Sequence, residues 1–156
     1  MKNPLRVDEM INPHVSVDCV VLGFDGEHLK VLLVKQTGHE ESGYYNNMKL
    51  PGSLIYNDED LDEAAQRVLY ELTGLNELHL IQFRAFGSKN RTNNPKDTKW
   101  LERFHQLNQK VERIVTITYL TMVKIDKKLT HLSDRYEACW TDIDALCPLA
   151  FDHNQI

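Results

Sequence analysis

Cysteine is scarce in this 156-residue chain: Cys19, Cys139 and Cys147 are an odd number in no CxxC or Cys/His spacing. That argues against a disulfide-stapled secreted scaffold and against a cysteine-based zinc site. Neither is needed, because a chain of this length buries roughly 68–70% of its unfolded surface in one ordinary core. A reduced, cytoplasmic setting is the expectation. Long apolar runs are missing too: none approaches the roughly 18 residues that a membrane helix requires, and the N-terminal extension, residues 1–13, has no apolar centre of the kind a signal peptide carries. Internal repeats and low-complexity tracts are absent, which points to a single domain over 1–156. Positive charge is in short supply, 18 Lys and Arg against 23 Asp and Glu for a net charge of −5, and such a surface is a poor partner for nucleic acid. The shortage is local, however. Between Arg84 and Arg113 stand eight bases and only three acids, and the rest of the chain has ten bases against twenty acids.

Val15–Phe24 and Leu29–Val34 are β-rich runs joined through Asp25-Gly26, a strong hairpin signal. Thr37–Asn47 is polar and contains glycine, and reads as a loop; Tyr44 and Tyr45 in it read as ordinary mobile tyrosines or as a stacking surface for a base or sugar. Leu54–Tyr56 is a short apolar stretch. Asp60 with Glu63 has the form of a capping box, and Leu61, Ala64, Ala65, Val68, Leu69 and Leu72 follow at helical offsets until Gly74 stops the helix. Strands are expected over Leu78–Phe86, Val111–Ile125 and Tyr136–Trp140, a helix over Lys99–Asn108, and a helical turn over Asp142–Cys147 before Pro148. The order describes an α+β or α/β mixed sheet with one dominant helix.

The chain from Lys49 to Leu75, KLPGSLIYNDEDLDEAAQRVLYELTGL, resembles the Nudix box, a loop–helix–loop motif of the pattern Gly, five residues, Glu, seven residues, Arg-Glu-apolar-x-Glu-Glu-x-Gly-apolar. Glu59, Arg67, Leu69, Glu71, Gly74 and Leu75 match in one ungapped frame. Ser53 stands where the box has Gly, and Val68 and Leu72 stand where it has glutamates. The resemblance implies the Nudix fold, a mixed sheet sandwiched by helices, and in active members it implies glutamates that hold Mg²⁺ against a diphosphate. Val68 and Leu72 offer no oxygen, and one remaining helix carboxylate, Glu71, is a poor Mg²⁺ site because that ion sheds water reluctantly. Ordinary structural work also accounts for the survivors: Glu59 favours the helix N-terminus, Arg67 pairs with Glu63 or Glu71, and Gly74 caps.

RVLYELTGL, the FGSKNR segment after the box and the closing ACWTDIDALCPLAFDH resemble the Nudix-related transcriptional regulators, in which a Nudix-like domain senses a metabolite and a C-terminal winged helix binds DNA. The resemblance implies a non-catalytic sensor for a sugar or nucleoside-diphosphate-sugar ligand of the ADP-ribose, NAD-metabolite or pentose kind. It further implies a homodimer and contact with DNA only through a winged helix not included in these residues. Residues 92–110 look like an insertion. Arg84, Phe86 and Arg91 around the FG turn are the candidate ligand-binding residues, since arginine forks suit phosphate. A solvated loop with a covering helix, or contact with DNA phosphates, are the other readings of this basic segment. No cofactor is expected for a sensor. The rival is an active diphosphate hydrolase using Mg²⁺ with Glu59, Arg67 and Glu71, helped by Glu40, Glu41 or Asp58. If the scaffold is otherwise intact, Val68→Glu with Leu72→Glu would then restore a cation site.

Overall fold

The computed structural model describes residues 10–40, 43–105, 107 and 110–156. Among these residues seven strands form a mixed sheet: β1 (Ile11–Phe24), β2 (Leu29–Glu40), β3 (Gly43–Lys49), β4 (Gly52–Tyr56), β5 (Ile81–Phe86), β6 (Val115–Lys124) and β7 (Cys139–Asp142). The central path runs β3-β2-β1-β6-β5, with β4 on β1 and β7 on β2. Among the described residues only β1 and β6 run parallel, from Val15 against Val115 to Phe24 against Lys124. The Asp25-Gly26 turn joins β1 and β2 as the sequence suggests; Asp25 Oδ1 accepts from the amides of Glu27 and His28 at 2.9 and 2.8 Å.

The box helix α1 (Leu61–Thr73) begins where Glu63 Oε1 accepts the Asp60 amide at 3.4 Å. It ends at Gly74, whose φ of 82° lets its amide close onto Tyr70 O at 2.8 Å, a left-handed geometry that a side chain would strain. Its apolar stripe packs Ala64, Ala65, Val68, Leu69 and Leu72 on Val17, Cys19 and Val21 of β1, Leu32 and Val34 of β2 and Tyr119 of β6. Strand alternation sends Ser16 and Asp18 to the opposite face. A second helix, α2 (Pro95–Phe104), covers that face, where Trp100 and Leu101 join Ile11, Leu54, Tyr56, Val111 and Ile114.

Several elements depart from the sequence-based boundaries for identifiable reasons. Thr37–Asn47, read as a loop, is an antiparallel ribbon: Thr37 pairs with Asn46 and Glu40 with Gly43. Ladder hydrogen bonds are made by backbone alone, so a polar ribbon carries no alternating signature. Glu40 ends β2, the Tyr44 and Tyr45 backbones lie in β3, and Glu41 lies outside the described residues. Residues 11–13 open β1 instead of belonging to an extension, because Ile11 pairs with Tyr56 and fills the second cluster. Helix α2 starts four residues before Lys99, where Asn94 Oδ1 accepts the Lys96 amide at 3.0 Å and Pro95 takes the first helical position. Its expected end at Asn108 lies outside the described residues. Ile143–Ala145 is a single 3₁₀ turn, and β5 and β7 start at Ile81 and Cys139.

Candidate functional site

The box helix shows first what has become of the cation-binding pattern. Val68 and Leu72 are each 1% exposed and belong to the core under α1. Glu59 is held by Arg67: Nε reaches its two carboxylate oxygens at 3.2 and 2.8 Å, and Nη2 reaches Oε1 at 2.7 Å. The same guanidinium donates to Leu54 O at 3.2 Å, lies 4.1 Å from the centre of the Tyr56 ring, and takes Glu71 Oε2 at 3.1 Å. Glu59 Oε1 also accepts the Tyr56 amide at 2.8 Å. Arg67 and Glu59 therefore fasten the 54–59 loop to α1. Glu71 is the one box carboxylate with substantial exposure, and Asp58 is exposed in the preceding turn. Two hydrocarbon side chains, one carboxylate locked to an arginine and one half-exposed carboxylate do not make an oxygen cage for Mg²⁺. Among the described residues no three His, Cys, Asp or Glu side chains converge on a common point.

The polar chemistry has gathered on the other face, beneath α2. Asp18 is 3% exposed and accepts from Thr116 Oγ1 at 2.6 Å and from His153 Nε2 at 3.3 Å. His153 Nδ1 accepts the Leu50 amide at 3.0 Å, which puts the ring proton on Nε2 and points it at Asp18. Arg91 grips Asp152 with a fork, Nε to Oδ2 at 3.0 Å and Nη2 to Oδ1 at 2.8 Å, donates to Ile114 O at 3.0 Å, and stands 4.0 Å from Asp18. Lys49 donates to Gly52 O at 2.6 Å and lies 4.4 Å from the Trp100 ring centre. Gly52 has no alternative: a β-carbon there would stand 1.8 Å from Asp18 Oδ1. Ser53, in the position where the box has Gly, puts its hydroxyl 2.5 Å from Nε2 of His105 at the end of α2. Asp18, Lys49, Gly52, Ser53, Arg91 and His153 are among the residues that line a cavity of about 20 Å³, room for roughly one water molecule.

Burial dominates the electrostatics of this chamber. It lowers the Lys49 ammonium to about 8, although Asp18 and Asp97 pull it back, and it raises the Asp97 carboxyl. It also drives the His153 imidazole down to about 4 against the pull of Asp18. The unfolded imidazole takes up its proton near 6.5 and the folded one only near 4. The unfolded chain therefore binds more protons in that window, and stability falls as pH falls through it. Acidification from pH 7 to pH 4 is expected to remove up to roughly 3 kcal/mol through this group, read by urea denaturation at the two pH values. His153→Asn should flatten that part of the profile; an unchanged slope would assign it to other groups.

Of the three candidate ligand residues, Arg91 lies in the chamber, with its side chain 2% exposed. Arg84 is exposed on the edge strand β5, its guanidinium 5.0 Å from the centre of the half-buried Phe86 ring. Asp18, Lys49, Ser53 and His153 are the chamber residues that motif reasoning passed over. One signal was present: in Val15-Ser16-Val17-Asp18-Cys19 the polar residues alternate with apolar ones, which places Ser16 and Asp18 together on one face.

Residues 12–156 match the profile of the NUDIX domain. The chain belongs to the NUDIX domain family. It is 23% identical over 149 residues to the ADPR responsive transcriptional repressor NtrR of Acinetobacter baylyi, covering 93% of this chain and 52% of that one. The chain thus spans about half the length of that relative. The NUDIX domain of Shewanella oneidensis NrtR, solved with ADP ribose, superposes with a TM-score of 0.65 at 25% identity, over 91% of this chain and 82% of that one. A bifunctional NMN adenylyltransferase/ADP ribose pyrophosphatase from Francisella tularensis shares the fold, with a TM-score of 0.61 at 18% identity, over 99% of this chain and 40% of that one. The NUDIX fold thus carries a regulator and a hydrolase among these relatives, and the choice between them for this chain rests on its own residues.

Proposed function

We propose that this NUDIX domain is a non-catalytic sensor of a small anionic metabolite of the ADP-ribose class, serving a transcriptional regulator. The observation that carries the reading is the burial of Val68 and Leu72 in the core, together with the commitment of Glu59 to Arg67, which argues against a cation site on α1. The chamber on the opposite face is lined by groups of the kind that a nucleotide-type ligand engages, an ammonium at Lys49 and a hydroxyl at Ser53, with Arg91 and Asp18 behind them committed to Asp152, Ile114 O, Thr116 and His153. Likeness to an ADPR responsive repressor and to a NUDIX domain solved with ADP ribose supports that ligand class. In this reading the ligand biases the geometry of a homodimer, and DNA is contacted through a separate winged-helix part.

Calorimetry against ADP-ribose, NAD precursors and pentoses, with and without Mg²⁺, tests the proposal. Binding without turnover and without a magnesium requirement is expected, whereas Mg²⁺-dependent release of phosphate products would overturn it. The second reading, a metal-dependent diphosphate hydrolase, draws on the exposure of Glu71 and predicts that Glu71→Gln abolishes turnover. Under the sensor reading Glu71→Gln only frees one arm of Arg67. Its cost is then below about 1 kcal/mol, as for other partly exposed ion pairs, with ligand affinity unchanged.

A further inference from the structure

The chamber that the proposed function assigns to a nucleotide-sized ligand has room for about one water. Its roof is α2. Leu101 lines the cavity, the Trp100 ring lies over Lys49 Nζ, and His105 holds the Ser53 hydroxyl. The helix is thus seated on the two groups, an ammonium and a hydroxyl, that a phosphate or sugar would engage. We propose that α2 is an intrinsic plug, which occupies the ligand's place in the closed protein and must swing out for an ADP-ribose-type ligand to enter.

Two walls confine the cavity, and the structure distinguishes which of them yields. The C-terminal turn is fastened from below by the Arg91 fork on Asp152, by the Leu50 amide on His153 and by the Ala150 amide on Met48 O at 2.9 Å. The seat of α2 is less complete. Gln36 of β2 is fully buried beside Asp97 of α2 and engages it, yet its amide oxygen and nitrogen and Asp97 Oδ1 complete no hydrogen bond of good geometry among the described residues. Buried polar groups whose hydrogen bonds are poorly made favour separation of the surfaces that bury them, because water satisfies them better once they part. Asp97 is also the tie between the two walls, since its Oδ2 accepts the Phe151 amide at 2.8 Å. Departure of α2 therefore releases that amide, and the last residues of the chain register the occupancy of the chamber.

The inference rests on the sensor reading, and the test separates the two. ADP-ribose affinity is measured by calorimetry for the full chain, for Trp100→Ala, which loosens the plug, and for Gln36→Leu, which removes a poorly paired amide from its seat. Because apparent affinity is reduced by the fraction of protein that is open, Trp100→Ala should tighten binding by at least about 10-fold and Gln36→Leu should weaken it. Hydrogen exchange on the wild-type chain should show the α2 amides and that of Phe151 exchanging faster once ADP-ribose is added. Equal affinity in all three proteins, or increased protection of α2 by ligand, overturns the plug and leaves the sensor reading standing. Absence of binding by all three overturns the sensor reading. The plug is then judged on the unliganded protein: exchange of α2 about 100-fold faster than that of α1 supports it, and equal protection of the two helices overturns it.

Discussion

Val68→Glu combined with Leu72→Glu is expected to unfold the domain, not to restore a cation site. The box pattern makes the double variant look like a reversion, because both positions carry glutamate in the motif. In the structure both side chains are 1% exposed and packed among Val17, Cys19, Val21, Leu69 and Tyr119. A carboxylate placed there either ionises without a partner in hydrocarbon or stays protonated with its pKa pushed far up. Each route costs several kcal/mol per site, and the valine and leucine packing is lost as well. Two such sites match or exceed the 5–15 kcal/mol that holds an ordinary domain together. Circular dichroism and one-dimensional NMR should show loss of the folded state at 25 °C, with no recovery in millimolar Mg²⁺. A folded double variant that binds Mg²⁺ would show that α1 can turn these positions outward, and would revive the hydrolase reading. The single variants should rank with burial and be nearly equal, since the two positions are equally enclosed.

The same packing shows which parts of the molecule were legible in the sequence. Helix α1 was readable almost to the residue because its signals are local and redundant: Glu63 behind Asp60, six apolar residues at helical spacing, and a glycine that takes a φ of 82°. The Asp25-Gly26 hairpin was readable for a similar reason. The β2–β3 ribbon was not, because its ladder uses backbone groups that leave no trace in composition. The chamber was legible only in fragments. Arg91 stood out by its position after the FG turn, but its partner Asp152 is 61 residues away, and Lys49, Ser53 and His153 acquire meaning only when the sheet brings 49–53, 91–116 and 150–153 onto one face. Ser53 is instructive: in the motif it is a missing glycine, and in the fold it is the hydroxyl that meets His105 from the segment that reads as an insertion.

Arg91 carries the second large effect. Its guanidinium neutralises Asp152, stands 4.0 Å from Asp18 and satisfies Ile114 O, all with its own side chain 2% exposed. Arg91→Met keeps much of the volume but strands two carboxylates and a carbonyl in a region that water barely reaches. Removing one member of a buried pair in this way costs about 3–5 kcal/mol, most of it the penalty on the charge left behind. Urea denaturation should therefore show a midpoint lowered by one to a few molar at the usual slope for a small domain, roughly 1–3 kcal/mol per molar. Lysine should rescue poorly, since a point charge cannot span both oxygens of Asp152 while holding Ile114 O. Asp152→Asn in the Arg91→Met background should return part of the loss by removing one stranded charge, whereas Asp152→Asn alone leaves the arginine buried without its anion and is destabilising. The cycle thus yields a favourable coupling between the two residues. Additive losses would instead mean that the two side chains stabilise the domain independently, and that the C-terminal turn is held by His153, Ala150 and Asn154 without the fork.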